Sequence, residues 1–318
     1  MNGESKLKNS EDGPPDLSFD LASMNQSQDL LPESLKKLVP TYNIYKSLRE
    51  KIRVRNGKIP YPTGLTELDN LMWGLPKGEL VTVGARTSQA KTVWAMEAAK
   101  NLAMNGQSVL YLSLEMSKEA LVERLLCNMC LIDNRDLLMG RAWDEVVEKE
   151  AAFVSWLKDA RLVIDDHNGY RFKAILELVD HFNFDFIIVD YVQMISTQGF
   201  KDKLSALEDF VKEIRREGKQ KGYGTILISQ LNRTAALQDR PYMHQLKAAG
   251  ILEEHSSVVL LLHYDFSKVP HKYTIYVEKN SSGNTGKVDI NFIPQYYKME
   301  DLNTPIYLDR EPARKDLL

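Results

Sequence analysis

The sequence predicts an α/β fold: a mostly parallel, twisted sheet with helices on both faces and a C-terminal antiparallel hairpin. Three observations carry this. From Pro60 onward, short apolar runs alternate with segments of helical spacing, the order that βαβ units produce. Phe186-Ile187-Ile188-Val189-Asp190 is apolar at nearly every position, as a strand covered on both faces must be. Residues 273–278 and 287–292 are neighbouring strand-like runs that close the chain as an antiparallel pair.

The elements follow in order. Glu79-Leu80-Val81-Thr82-Val83 reads as the first strand, and a loop leads into a helix over 91–104. A second strand covers 108–114 and a helix 118–130, with another helix over 144–157. A short strand at 161–165 precedes a helix at 172–182, and the apolar strand 186–190 follows. A helix over 204–220 leads into the strand Thr225-Ile226-Leu227-Ile228-Ser229, and 257–262 is one strand more.

Composition bounds the rest. The chain has 318 residues, enough for about two domains or one large α/β domain with an appendage. Hydrophobic residues are 43% and charged residues 27%, so a sizeable core forms and global disorder is excluded. The net charge of −3 excludes a chain that is basic all over. It leaves room for a basic strip lining a nucleic-acid channel. Residues 1–31 read as a disordered tail, 32–59 as a basic helical linker broken at Pro40, 60–302 as the core and 303–318 as a second tail. The linker carries Lys46, Arg49, Lys51, Arg53, Arg55 and Lys58. It reads either as a solvated helix or as one that docks on a neighbouring subunit. The two cysteines, Cys127 and Cys130, have no second pair with which to build a zinc site. They read as buried, reduced thiols, and a cytoplasmic location follows. No run of about eighteen apolar residues suggests a membrane span.

The first strand opens into Gly84-Ala85-Arg86-Thr87-Ser88-Gln89-Ala90-Lys91-Thr92. The strand, the loop and the following Lys-Thr helix start match a P-loop, G-x-x-x-x-G-K-[ST], with alanine at both glycine positions. Residues Ala85, Arg86, Thr87, Ser88, Gln89 and Ala90 would cradle the phosphates of ATP. Lys91 would reach the β- and γ-phosphates, and Thr92 would hold Mg²⁺. An alanine forced into a left-handed conformation there costs about 1–2 kcal/mol. Further polar residues fall at other strand ends. Glu115 follows the second strand as a general base, Asp190 ends the apolar strand as a Mg²⁺ ligand through water, and Gln230 ends the next as a γ-phosphate sensor. Ligands of open parallel sheets bind at those ends. The six histidines show no ligand spacing with one another.

In this order the motifs resemble the DnaB-type replicative helicases, within the RecA-like P-loop NTPases. The resemblance covers about 60–302. Pro62-Thr63-Gly64-Leu65-Thr66-Glu67-Leu68-Asp69 resembles the family's opening segment, and Leu112-Ser113-Leu114-Glu115-Met116-Ser117 its catalytic-glutamate motif. Asp190-Tyr191-Val192-Gln193-Met194-Ile195 resembles the Walker B motif, and Ser229-Gln230-Leu231-Asn232-Arg233 the sensor motif. Arg240-Pro241 and 246–254 resemble its DNA loop, and 278–286 its closing hairpin. The resemblance implies an ATP-hydrolysing helicase ring, a homo-hexamer, with ATP between subunits and single-stranded DNA in the channel. It implies primase or a helicase loader as further partners. It places Lys201, Lys203, Arg233, Arg240, Lys247 and the backbone at Gly250 near DNA. It makes Lys279 a cation that reaches the next subunit's γ-phosphate.

Four departures stand beside it. Alanine occupies both P-loop glycine positions. Gln245 stands for an acidic residue, and Ala248-Ala249 for Glu-Ser. Ser281 stands where the family carries an arginine finger, a group worth several powers of ten in rate. Before Pro60 nothing matches the family's helical N-terminal domain. These departures keep a second reading open: a catalytically weak nucleotide- or DNA-binding partner that regulates or loads a replication complex. A filament-forming recombinase-like ATPase is the third.

Overall fold

A computed structural model of the chain describes residues 41–55, 57–167, 172–196, 202–232, 238–265 and 272–302. The expected tails over 1–31 and 303–318 lie outside the described residues, as do Lys201 and Arg233. The chain divides into two units, Met1–Lys58 and Ile59–Leu318. In the first, helix α1 (Thr41–Arg55) is continuous and starts directly after Pro40. Proline ends a preceding helix but is compatible with the start of the next. Ile44, Leu48 and Ile52 recur every four residues along α1 and are all exposed.

Among the described residues, the second unit is built on nine strands in one sheet, ordered β3-β2-β4-β5-β1-β6-β7-β8-β9. The strands are β1 (Leu80–Ala85), β2 (Val109–Ser113), β3 (Leu162–Asp165), β4 (Phe186–Asp190), β5 (Gly224–Gln230), β6 (Val258–Asp265), β7 (Lys272–Asn280), β8 (Gly286–Ile293) and β9 (Lys298–Asp301). Strands β1 to β6 pair in parallel. β7, β8 and β9 extend the β6 edge antiparallel.

The sequence dictates this two-sided sheet through the alternation of side chains along each strand. Val81, Val83, Val109, Tyr111, Ile188, Ile226 and Leu260 point into one core. Leu80, Leu110, Leu112, Ile187, Val189, Leu227 and Leu261 point into the other. On the first face pack α3 (Lys91–Met104, with Trp94 and Leu102), α4 (Lys118–Cys130, with Leu121 and Leu125) and, beyond the short α5 (Asn134–Leu138), α6 (Trp143–Asp159, with Phe153). On the second face pack α7 (Phe172–Phe182), α8 (Lys203–Lys221) and α9 (Ala249–His255), through Ile175, Val179, Phe210, Ile214 and Leu252. A seven-residue helix, α2 (Thr66–Met72), precedes β1.

The expected hairpin is therefore a three-strand antiparallel extension, because β9 adds to β8. A buried polar network holds β9 in place. Glu97 Oε1 accepts from Asn128 Nδ2 at 2.6 Å and from Met299 N at 3.3 Å, while Lys100 Nζ pairs with Glu97 Oε2 at 2.5 Å. Within the segment 246–254 that resembles the family's DNA loop, the helix α9 starts at Ala249. Cys127 is free and buried, as expected, whereas free Cys130 is half-buried. Burial pushes the Cys127 thiol up to about 11. No helix among the described residues is long and apolar enough to cross a membrane.

Candidate functional site

β2, β4, β5 and β1 are consecutive across the sheet, and the polar residues at their C-terminal ends share one edge. The turn after β1 runs over Arg86, Thr87 and Ser88, all exposed, to the buried Gln89 and the half-buried Ala90. α3 then starts at Lys91. Its first turn presents Lys91 and Thr92, both buried.

The two alanines differ. Ala85 is the last residue of β1, fully buried, where its methyl is at home. Ala90 is left-handed at φ 53°, and Ser88 is also left-handed at φ 63°. Neither residue is glycine, so the turn carries backbone strain. Gly84 has a different role. A Cβ there would stand 2.5 Å from Leu246 Cδ2 and 2.8 Å from Leu261 Cδ2. The close approach of β1 to the second core leaves little room for a side chain at that position.

Asp190 ends β4 and is buried. Its Oδ2 accepts from the Tyr111 hydroxyl at 2.8 Å. Among the described residues its Oδ1 is buried without a hydrogen-bond partner. Burial pushes this carboxyl up, while the neighbouring Thr92 hydroxyl, Tyr111 hydroxyl and Lys91 ammonium pull it down. A buried carboxylate with an orphaned oxygen beside a threonine hydroxyl is a donor set suited to a hard dication. Lys91 Nζ lies 3.7 Å from Glu115 Oε2 and 5.1 Å from the centre of the Tyr191 ring. The Glu115 side chain is 48% exposed, so it faces the open crevice.

Gln230 links this edge to the next loop. Its Nε2 donates to Thr87 Oγ1 at 2.6 Å, and its Oε1 accepts from Lys247 Nζ. Gln193 braces the same place: its Nε2 donates to Ser229 Oγ at 2.7 Å and its Oε1 accepts from Gln230 N at 3.3 Å. Lys247 and Lys203 share a mostly apolar cavity of about 330 Å³ with Val192, Ile195, Leu207 and Phe210.

The remaining residues singled out in the sequence lie elsewhere. Gly250 is exposed in α9 with open space around it. Arg240 donates to Glu278 Oε1 at 2.7 Å and lies over the rings of Tyr242 and Tyr276 at 4.3 and 5.1 Å. Lys279 donates to the Glu253 carbonyl at 2.6 Å, away from its own chain's phosphate loop. Asp165, Asp166 and His167 bring possible ligand atoms together at the surface. There Asp166 also caps α4 through Lys118 N at 3.0 Å.

Sequence reasoning missed Tyr111, Tyr191 and Gln193. Tyr111 carried a signal: it sits two residues before Ser113 on β2, so both face one side, and Ser113 pairs with Asp190. A polar group in an otherwise apolar strand beside a strand-end carboxylate marks a second-layer hydrogen bond. Gln193 carried none, because its partners come from β5 and the segment after it.

The strand order and the edge of Lys, Thr, Asp and Glu define a RecA-like P-loop NTPase domain. The model of the DnaB-like helicase C-terminal domain matches residues 61–301, and the chain belongs to that family. The replicative DNA helicase DnaC of Bacillus subtilis (strain 168) is 31% identical over 280 residues, covering 83% of this chain and 61% of that protein. The replicative DNA helicase DnaB of Geobacillus stearothermophilus is 29% identical, with the same coverage. The chain thus spans about three fifths of the length of these curated relatives. Among solved structures, the ATPase domain of G40P superposes with a TM-score of 0.75 at 22% identity, covering 84% of this chain and all of that one. A DnaB-like replicative helicase described with its interactions with primase gives 0.72 at 22% identity, covering 82% of this chain and 66% of that one. These two establish the fold.

Proposed function

We propose that this chain is the ATP-hydrolysing motor of a ring-forming DNA helicase that moves along single-stranded DNA in replication. The observation that carries the proposal is the arrangement of Lys91, Thr92, Asp190 and Glu115 at adjoining strand ends, with Asp190 Oδ1 left unpartnered. The resemblance in sequence to named replicative helicases supports the reaction class.

Thr92 and Asp190 would hold Mg²⁺, Asp190 through water. Bound there, the ion would neutralise triphosphate charge and polarise the phosphoryl group. The backbone of 85–90 and the start of α3 would cradle the phosphates. Lys91 would neutralise the β- and γ-phosphate oxygens. Glu115, open to the crevice, would take a proton from the attacking water. Gln230 would exchange Thr87 for the γ-phosphate as acceptor and so alter its hold on Lys247. Lys203 and Lys247, with Lys201, Arg233 and the backbone at Gly250, would face DNA phosphates, a contact that ignores base sequence. Arg240 is tied to Glu278 and would support that loop rather than touch DNA first. Lys279 would serve a neighbouring subunit after leaving the Glu253 carbonyl. The working assembly would be a homo-hexamer in the cytoplasm, with primase or a loader as partners. Residues 60–302 would form the motor core and 32–59 its linker.

One set of observations favours the weaker alternative, a nucleotide-binding partner with little turnover. Ala90 is strained, Ser281 replaces the finger, and Lys279 is held by a carbonyl. Hydrolysis of ATP by the purified chain, with and without single-stranded DNA, separates the two. Turnover that DNA stimulates and that both Lys91→Ala and Glu115→Gln abolish supports the motor. Nucleotide binding without turnover above these controls supports the partner.

A further inference from the structure

We propose that Gln89 and Tyr273 are positioning residues that hold the phosphate loop in the shape a glycine would adopt, and thereby let Ala90 occupy the left-handed position before Lys91. The proposal rests on the reading of 85–92 as the triphosphate cradle.

Gln89 lies between the two left-handed residues, Ser88 and Ala90, and all four of its polar atoms are partnered. Its N–H donates to the Arg86 carbonyl at 3.3 Å. Its carbonyl accepts from the Tyr273 hydroxyl at 2.9 Å. Its Oε1 accepts from Tyr264 N, and its Nε2 donates to the Tyr264 carbonyl, both at 3.3 Å.

The geometry explains why glutamine serves here. β1 ends at Ala85, paired with Leu262 of β6. Two residues farther along β6, the Tyr264 N–H and C=O meet the Gln89 carboxamide in place of a strand. Only a carboxamide offers one acceptor and one pair of donors on so short a stem. The Tyr273 hydroxyl is fixed in turn. Tyr273 is buried on β7, with ring centres 5.7 Å from Tyr264 and 5.5 Å from Phe292. The middle residue of the turn is thus bolted through its main chain and side chain to β6 and β7. Strained dihedrals persist where surrounding contacts over-determine them. Without these bonds alanine relaxes toward negative φ, and the turn that leads into Lys91 changes shape. A glycine at the same place would need no such support.

The test is a double-mutant cycle. Affinity for a fluorescent ADP analogue with Mg²⁺ is titrated in the full chain, in Tyr273→Phe and in Gln89→Leu. Each is made with Ala90 and with Ala90→Gly. Amide exchange of the loop and thermal unfolding are recorded on the same proteins. With Ala90 retained, losing the one Tyr273 hydrogen bond weakens binding about fivefold, losing both Gln89 side-chain bonds weakens it further, and each change speeds loop exchange. With Ala90→Gly, affinity returns to within about twofold of the starting protein. Equal weakening in both backgrounds overturns the proposal, as does a lowered melting temperature with unchanged affinity. Lys91→Ala separates the two levels of the argument. If it binds the analogue as tightly as the starting protein, or if the starting protein binds none, the cradle reading falls and the proposal with it. If Lys91→Ala loses binding while the cycle is additive, only the proposal falls.

Discussion

Two buried carboxyls in this fold are both pushed up by burial, and single neighbouring residues decide what opposes it. Asp190 is pushed up by burial and pulled down by the hydroxyls of Thr92 and Tyr111 and the Lys91 ammonium. Tyr111→Phe deletes one donor to it. The carboxyl then protonates more readily, and binding of Mn²⁺, followed by electron paramagnetic resonance, weakens about tenfold, as loss of one bond to a charged group implies. Unchanged Mn²⁺ affinity would remove Tyr111 from the site. Asp69 sits far from this chemistry and accepts from Thr63 N at 2.7 Å and Gly64 N at 3.2 Å. Burial outweighs these bonds and lifts it to about 6, with the Asp301 charge adding to the rise. The folded value exceeds the unfolded one, so the charged form is penalised on folding. Stability from this group is full below about 4, falls as pH rises to about 6 and is level above. The span is about 3 kcal/mol. Denaturant unfolding of the wild type against Asp69→Asn should show the wild type gaining on the variant as pH falls from 7 to 4. A difference independent of pH would refute the assignment.

At the scale of elements, the strands were legible because the alternation of two apolar faces is written into each of them. Val81 and Val83 face one core while Leu80 faces the other, as in a sheet covered by helices on both sides. The helix over 91–104 was legible to the residue, because the Lys-Thr pair marks its first turn. β9 was not legible. Lys298-Met299-Glu300-Asp301 has one apolar residue, and it pairs because Glu97 and Asn128, two hundred and one hundred and seventy residues away in the chain by rough count, accept and donate to its approach. The strand-end carboxylates and Gln230 were legible from position alone. The partners of Gln230 were not, since Thr87 and Lys247 reach it from two different loops. Glycines show how tightly the elements fit. At the start of β5, a Cβ on Gly224 would stand 2.4 Å from the Phe186 ring and 2.8 Å from the Pro76 carbonyl. On Gly84 it would meet only the ends of leucine side chains. Gly224→Ala therefore costs more than Gly84→Ala, which costs about 1–3 kcal/mol. Urea unfolding of both variants checks the order, and a smaller loss for Gly224→Ala would contradict the packing of β4 against β5.

At the scale of the molecule, a net charge of −3 must coexist with the proposed binding to a polyanion, so the few cations that would face DNA would carry the electrostatic part of affinity. Lys203 and Lys247 line one cavity from two segments, and Arg240 is committed to Glu278. Neutralising a phosphate of single-stranded DNA releases counterions, and each such contact adds about 0.7 to the slope of log affinity against log salt. Lys203→Ala and Lys247→Ala should each lower the slope for oligo-dT by about that amount. Arg240→Ala should lower the melting temperature, because it strands Glu278 and two aromatic faces, with the slope nearly unchanged. Titrations at several salt concentrations, all with the same non-hydrolysable ATP analogue present, read these effects directly. The analogue matters, because Lys247 shares Gln230 with the phosphate loop through Thr87. If that link couples the two sites, the Lys247→Ala deficit is larger with the analogue than without it, while the Lys203→Ala deficit is the same in both. Equal deficits for Lys247→Ala in the two conditions would show that nucleotide and DNA reach this edge of the sheet independently.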